Sequence, residues 1–185
     1  MKYTILILVS LLITSCQGIK DQPATAEGFE AIEKEIKEKF GNNAYYTDLK
    51  ISYDKSIGNM ISLTVTEEPE SLKMGAYIYS QHTSWKKNSN IVLEVPKGSK
   101  AADFMYQLND TTNLSNLGKL VEKSKKQLID ENKLETPALS MAYIYFPKNG
   151  DISKAEYCIN LEPENGGTTF RFNYKLNGEL IKMDY

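Results

Sequence analysis

Two stretches of helical periodicity, each followed at once by runs of period two, constrain this chain more than any other feature. Phe29, Ile32, Ile36 and Phe40 recur at helical spacing, which predicts a one-faced helix over residues 26–40. Thr25 is placed to cap it, Glu27 and Glu30 occupy its first turn, Lys37 and Lys39 its last, and Gly41 follows as a stop. A helix with one apolar face must lie on something, and the next residues supply it. Leu49, Ile51 and Tyr53 alternate with polar residues, as do Ile61, Leu63 and Val65 beyond a turn expected at Gly58-Asn59. After the break at Glu67-Glu68-Pro69-Glu70-Ser71, strands are expected at 76–79 and 91–95, joined by a polar loop over 80–90.

Between 96 and 112 the alternation lapses, and Ala101, Phe104, Met105 and Leu108 suggest a short helical turn. The order then begins again. Leu114, Leu117, Leu120, Val121 and Leu128 mark a helix ending near residue 133, before Pro137. Strand patterns follow at 138–146 and through Tyr157, Ile159 and Leu161, with Asn149-Gly150 as the turn. A second Glu-Pro-Glu break at 162–164 precedes Phe170, Phe172 and Tyr174, then Asn177-Gly178, a type I′ hairpin signal, and a last strand over 180–185.

The two series match in element order and share the Glu-Pro-Glu break, so the chain reads as an α+β protein built from tandem helix-plus-four-strand repeats. Helix before meander, with no βαβ alternation, predicts antiparallel sheet with both helices on one face. The first repeat with its linker spans 26–112 and the second 113–185. In this element order the chain resembles the beta-lactamase inhibitor protein fold and the PepSY-type domains, small exported bacterial modules with inhibitory or regulatory roles. The resemblance rests on element order and repeat length and transfers no functional residue.

The first sixteen residues fix an address. Lys2 supplies a positive charge, residues 5–13 are apolar except for Ser10, and Ile13-Thr14-Ser15-Cys16 closes the run. That is a secretory signal of residues 1–15, too short for a spanning helix, which needs about 20 apolar residues. An aliphatic residue, two small residues and Cys resemble the lipobox of bacterial lipoproteins. The resemblance implies that Cys16 becomes the first mature residue, carries diacylglycerol and an acylated amino group, and anchors the chain to a membrane. Residues 16–25, polar and containing Gly18 and Pro23, are expected to be a flexible tether. Gln17, where an inner-membrane retention Asp would stand, favours the outer membrane of a Gram-negative envelope by the same resemblance.

Composition removes several functions. Net charge is −2, with no basic block, which argues against nucleic-acid binding. Arg171 is the one arginine, so no guanidinium cluster exists for bidentate anion recognition. One His, no H-E-x-x-H and no C-x-x-C predict no metal or other cofactor. With Cys16 lipidated, Cys158 is left without a disulfide partner, mid-strand and inert, and its pairing with His82 would require the fold to bring them together.

What remains is apolar surface. Ala76-Tyr77-Ile78-Tyr79 and Ala142-Tyr143-Ile144-Tyr145 are apolar on both strand faces, where a two-layer sheet calls for one polar face. Tyr77, Tyr79, Tyr143 and Tyr145 therefore read either as core under a second cover or as an exposed platform. Trp85 is expected in the 80–90 loop beside His82, either folded back or a contact residue. Aligning the repeats sets Tyr143 and Tyr145 against Ile51 and Tyr53, which predicts both as core and turns Ala142, Ile144 and Phe146 outward. The expectation is a non-enzymatic envelope lipoprotein that binds a protein partner as an inhibitor, immunity or regulatory module. The alternative is glycan binding through the exposed aromatics.

Overall fold

In the computed structural model, which describes residues 18–185, helix α1 spans Ala26–Phe40. Its cap is the expected one: Thr25 Oγ1 accepts the Gly28 N–H at 3.2 Å, and Gly41 ends the helix at φ 94°. The expected signal segment and Cys16 lie outside the described residues. The chain continues through β1 (Tyr45–Asp54), β2 (Gly58–Thr66), β3 (Lys73–Ser80), β4 (Ser84–Val92) and the short β5 (Tyr106–Gln107). Helix α2 (Leu114–Asn132) follows, then β6 (Pro137–Tyr145), β7 (Glu156–Pro163), β8 (Phe170–Lys175) and β9 (Leu180–Asp184). The strands form one sheet, antiparallel throughout, in the order β4-β3-β2-β1-β6-β7-β8-β9, with β5 on β1. The fold class is α+β, as the pattern predicts.

Register separates the two faces. Directly opposed residues in an antiparallel ladder share a face, and successive residues alternate. One row across eight strands reads Trp85, Tyr79, Ile61, Ile51, Ala142, Ile159, Phe172, Met183. These residues form one core with Phe29, Ile32 and Ile36 of α1 and with Leu117, Val121 and Leu128 of α2. Each aliphatic side chain buried there contributes about 1.5–3 kcal/mol.

The helices hold each other at their ends. The Ala26 N–H of α1 donates to Glu122 Oε2 of α2 at 3.0 Å, and the Leu114 N–H of α2 donates to Glu33 Oε2 of α1 at 2.6 Å. Each carboxylate thus satisfies an orphan amide at the positive end of the other helix. Close approach is possible because α2 has glycine at 118, where a Cβ would stand 2.3 Å from the Thr25 carbonyl oxygen.

Several expectations are corrected. Ala142 and Ile144 are buried in the core, while Tyr145 is 48 % exposed on the other face. The repeat alignment was one residue out of phase because β6 and β7 carry an irregularity between Leu139 and Met141, and a one-residue slip exchanges the faces. Residues 84–90 are not loop but most of β4, an edge strand whose lysines and asparagines hide the period-two signal. The turn before β2 is built on Asp54, whose Oδ1 accepts the Ser56 and Ile57 N–H groups, and Asn59 lies buried inside the strand. Asn177-Gly178 is not type I′, because Gly178 alone takes positive φ, and the Lys175 N–H closes the loop on the Glu179 carbonyl at 2.9 Å.

The expected free tether of 16–25 is docked from Ile19 onward. Ile19 is 4 % exposed and belongs to the core, because its side chain fills the sheet end beside α1. Asn59 Nδ2 donates to the carbonyls of both Ile19 and Gln22 at 2.8 Å.

Candidate functional site: the open face of the sheet

The row one residue along from the core row faces away from the helices. It reads Lys86, Ile78, Ser62, Lys50, Tyr143, Cys158, Asn173, Lys182. Met60, Met141, Tyr145 and Arg171 stand in the neighbouring rows of that face. Beyond β4, the chain folds over one corner and buries Met74 with Ala101 and Met105. The rest is not roofed by a helix. Ile78 is 42 % exposed and Tyr145 48 %, and Tyr143 is half-buried between them. Lys50, between Ile78 and Tyr143, pairs with Asp48 at 2.7 Å, and Lys182 pairs with Asp184 at 2.8 Å on β9, which sets charge among the apolar groups.

On β7 and β8 this face carries a packed polar group. Asn173 Nδ2 donates to Glu156 Oε2 at 2.7 Å and to Cys158 Sγ at 3.2 Å. Burial, above all, pushes the Cys158 thiol up to about 11, with Glu156 adding to the rise and Tyr143 and Arg171 opposing it. Burial likewise pushes the Tyr143 hydroxyl up to about 12, with Cys158 adding to it. A buried thiol that keeps its proton at neutral pH offers little thiolate for attack. His82 sits exposed in the β3–β4 turn beside Gln81, with three strands between β3 and the strand of Cys158, so the two do not meet. Among the described residues, no group of three or more His, Cys, Asp and Glu side chains is placed to hold a metal ion.

The expected contact residues part into two sets. Tyr77, Tyr79 and Trp85 lie on the helix side: Phe40 of α1 packs on Tyr77 at 4.8 Å and edge-on to Trp85 at 5.1 Å, and Tyr79 meets Trp85 at 5.4 Å. Trp85 Nε1 donates to Glu35 Oε1 at 3.2 Å, so this ring is folded back under α1. Phe146 leans on Tyr106 at 5.6 Å and against the core. Tyr143 and Tyr145 are the two that the open face displays. The reasoning from sequence did not single out Ile78, Met60, Met141 or Lys50, although Ile78 carried a signal as the apolar residue between Tyr77 and Tyr79.

A second concavity lies at the strand ends below α2, lined by Pro23, Ala24, Tyr53, Lys125, Leu139 and Glu164 among others. Partial burial pulls the Lys125 ammonium below its ordinary pKa, opposed by Glu122. No helix among the described residues is long and apolar enough to cross a membrane. No protein-family profile, curated protein or solved structure matches this chain.

Proposed function

We propose that this chain is a lipid-anchored lipoprotein of a Gram-negative envelope whose body binds a protein partner through the open face of its sheet, without catalysing a reaction. The observation that carries this reading is the uncovered face itself. Large apolar side chains at Ile78 and, across Ser62 and Lys50, at Tyr143 and Tyr145 stand on the sheet among lysine–aspartate pairs, and such surface on a small protein marks an interaction site. The anchor rests on Ile13-Thr14-Ser15-Cys16, and the placement in the outer membrane on Gln17.

The body is read as a tandem of two α-β-β-β-β units, 26–112 and 113–185. What supports this is the mirrored order of the sheet. In each half, the strand after the helix is the innermost and the next three step outward in sequence, β1 to β4 on one side and β6 to β9 on the other.

Two experiments test the reading. Metabolic labelling with a radioactive fatty acid should mark the wild type and leave Cys16→Ala unlabelled and uncleaved; label persisting in the variant refutes the anchor. Affinity purification from solubilised membranes should recover a stoichiometric protein that the double variant Ile78→Glu/Tyr145→Glu, folded by circular dichroism, no longer holds. Recovery on a polysaccharide column alone, lost with Tyr145→Ala, assigns the face to a glycan instead.

A further inference from the structure

The docking of residues 19–22 settles more than the start of the body. Ile19 is buried, its carbonyl and that of Gln22 are held by Asn59, and a side chain at Gly18 would touch the Tyr79 hydroxyl. The chain therefore leaves the body on the helix side, at the sheet end where β3 turns into β4. Three peptide steps separate Ile19 from Cys16, and fully extended they span about 11 Å at most. We infer that the bilayer holding the lipid on Cys16 lies directly against this end of the sheet, with the β3–β4 turn as the membrane-facing surface. The inference rests on the lipid-anchor reading above.

The chemistry of that end fits a headgroup layer rather than the hydrocarbon beneath it. Gln81, His82 and Thr83 form the turn, Ser84 and Trp85 open β4, and Lys86 and Lys87 follow. The turn residues are all polar and Trp85 is folded back under α1, so the turn rests on the surface. The strands then carry the body away from the lipid. With ten residues in β1, the far end stands about 33 Å further out, at the level of residues 96–100 and 147–150. The open face, running along the strands, is presented beside the membrane within that height and cannot be carried farther out.

Trp85, the sole tryptophan, lies at the membrane end and serves as the probe. The full lipidated chain is reconstituted into phosphatidylcholine vesicles containing a dansyl-headgroup lipid, and energy transfer from Trp85 is recorded. Transfer is expected to be strong. A twelve-residue Gly-Ser insertion between Gln17 and Gly18 adds a flexible span of about 19 Å and should reduce it several-fold. Moving the donor to the far loop with Trp85→Phe and Lys97→Trp should also reduce it several-fold in the uninserted chain. Equal transfer in all three proteins, with each floating with the vesicles, overturns the inference and leaves the anchor standing. Failure of the wild type to float overturns both.

Discussion

The side-chain amide of Asn59 donates to the carbonyl of Ile19 at 2.8 Å, forty residues back along the chain, and again to Gln22 at the same distance. Asn59 is wholly buried, and its one amide group ties both carbonyls to the start of β2. Asn59→Ala removes both hydrogen bonds and should cost about 1–3 kcal/mol. It should also speed amide exchange and proteolysis in residues 19–25 more than elsewhere. Hydrogen exchange by mass spectrometry checks this, and uniform acceleration across the body would contradict a local clamp.

The faces of β6 give a second prediction. Ile144 is buried under the helices and Tyr145 is 48 % exposed on the other side. Ile144→Ala should cost about 2–5 kcal/mol in urea unfolding. Tyr145→Ala should stay within about 0.5 kcal/mol, as surface substitutions do. A reversed ranking would mean that the register across β6 is wrong.

Gly118→Ala tests the contact between the helices. In an exposed helix this change would gain about 1 kcal/mol of propensity. Here the new Cβ meets backbone, 2.3 Å from the Thr25 carbonyl oxygen and 2.6 Å from its carbon. Backbone cannot swing aside as a side-chain tip can, so a net loss of about 1–3 kcal/mol is expected. A stabilised variant in thermal unfolding would show that α1 and α2 are farther apart.

Cys158 sets an alkaline limit. Its pKa rises from an ordinary 9.0 to about 11 in the fold. The native state therefore holds the proton more tightly than the unfolded chain. The stability this supplies is complete below pH 9 and is lost as the pH climbs toward 11. Denaturation midpoints should begin to fall near pH 9, ahead of the buried tyrosines whose hydroxyls are also raised from 10.0, and Cys158→Ser should remove this early part of the fall. Thiol labelling at pH 8 should be slow in the native protein and immediate in urea.

Much of the fold was legible because local signals and packing agreed. The pattern Phe29, Ile32, Ile36 with Thr25 and Gly41 placed α1 at its observed ends. Legibility failed where tertiary pairing supplied the order. β4 is held by its backbone ladder to β3, so Lys86, Lys87 and Asn88 need no alternating pattern to lie in a strand. The faces of β6 failed for a related reason: one irregular residue near Ser140 inverts the parity of all that follows, and nothing in the side chains announces it. The clamp by Asn59 was invisible too, since an Asn after a Gly reads as a turn until the chain that covers it is in place. At the candidate site, Tyr143 and Tyr145 could be named from sequence, but which partners share their face depends on register across eight strands.

The sheet is joined at its middle by only three opposed pairs, Lys50–Tyr143, Ile51–Ala142 and Ser52–Met141, whereas the ladder from β1 to β2 has nine and that from β6 to β7 has eight. Mechanically, this is two stiff panels joined by a short weld, with the packed helices as the brace across it. A pull on the N-terminal segment enters the first panel at Asn59 and reaches the second through the weld, the brace and the Lys55–Glu164 ion pair. Under load the body should part along that line before either panel frays, because the fewest backbone bonds must break there.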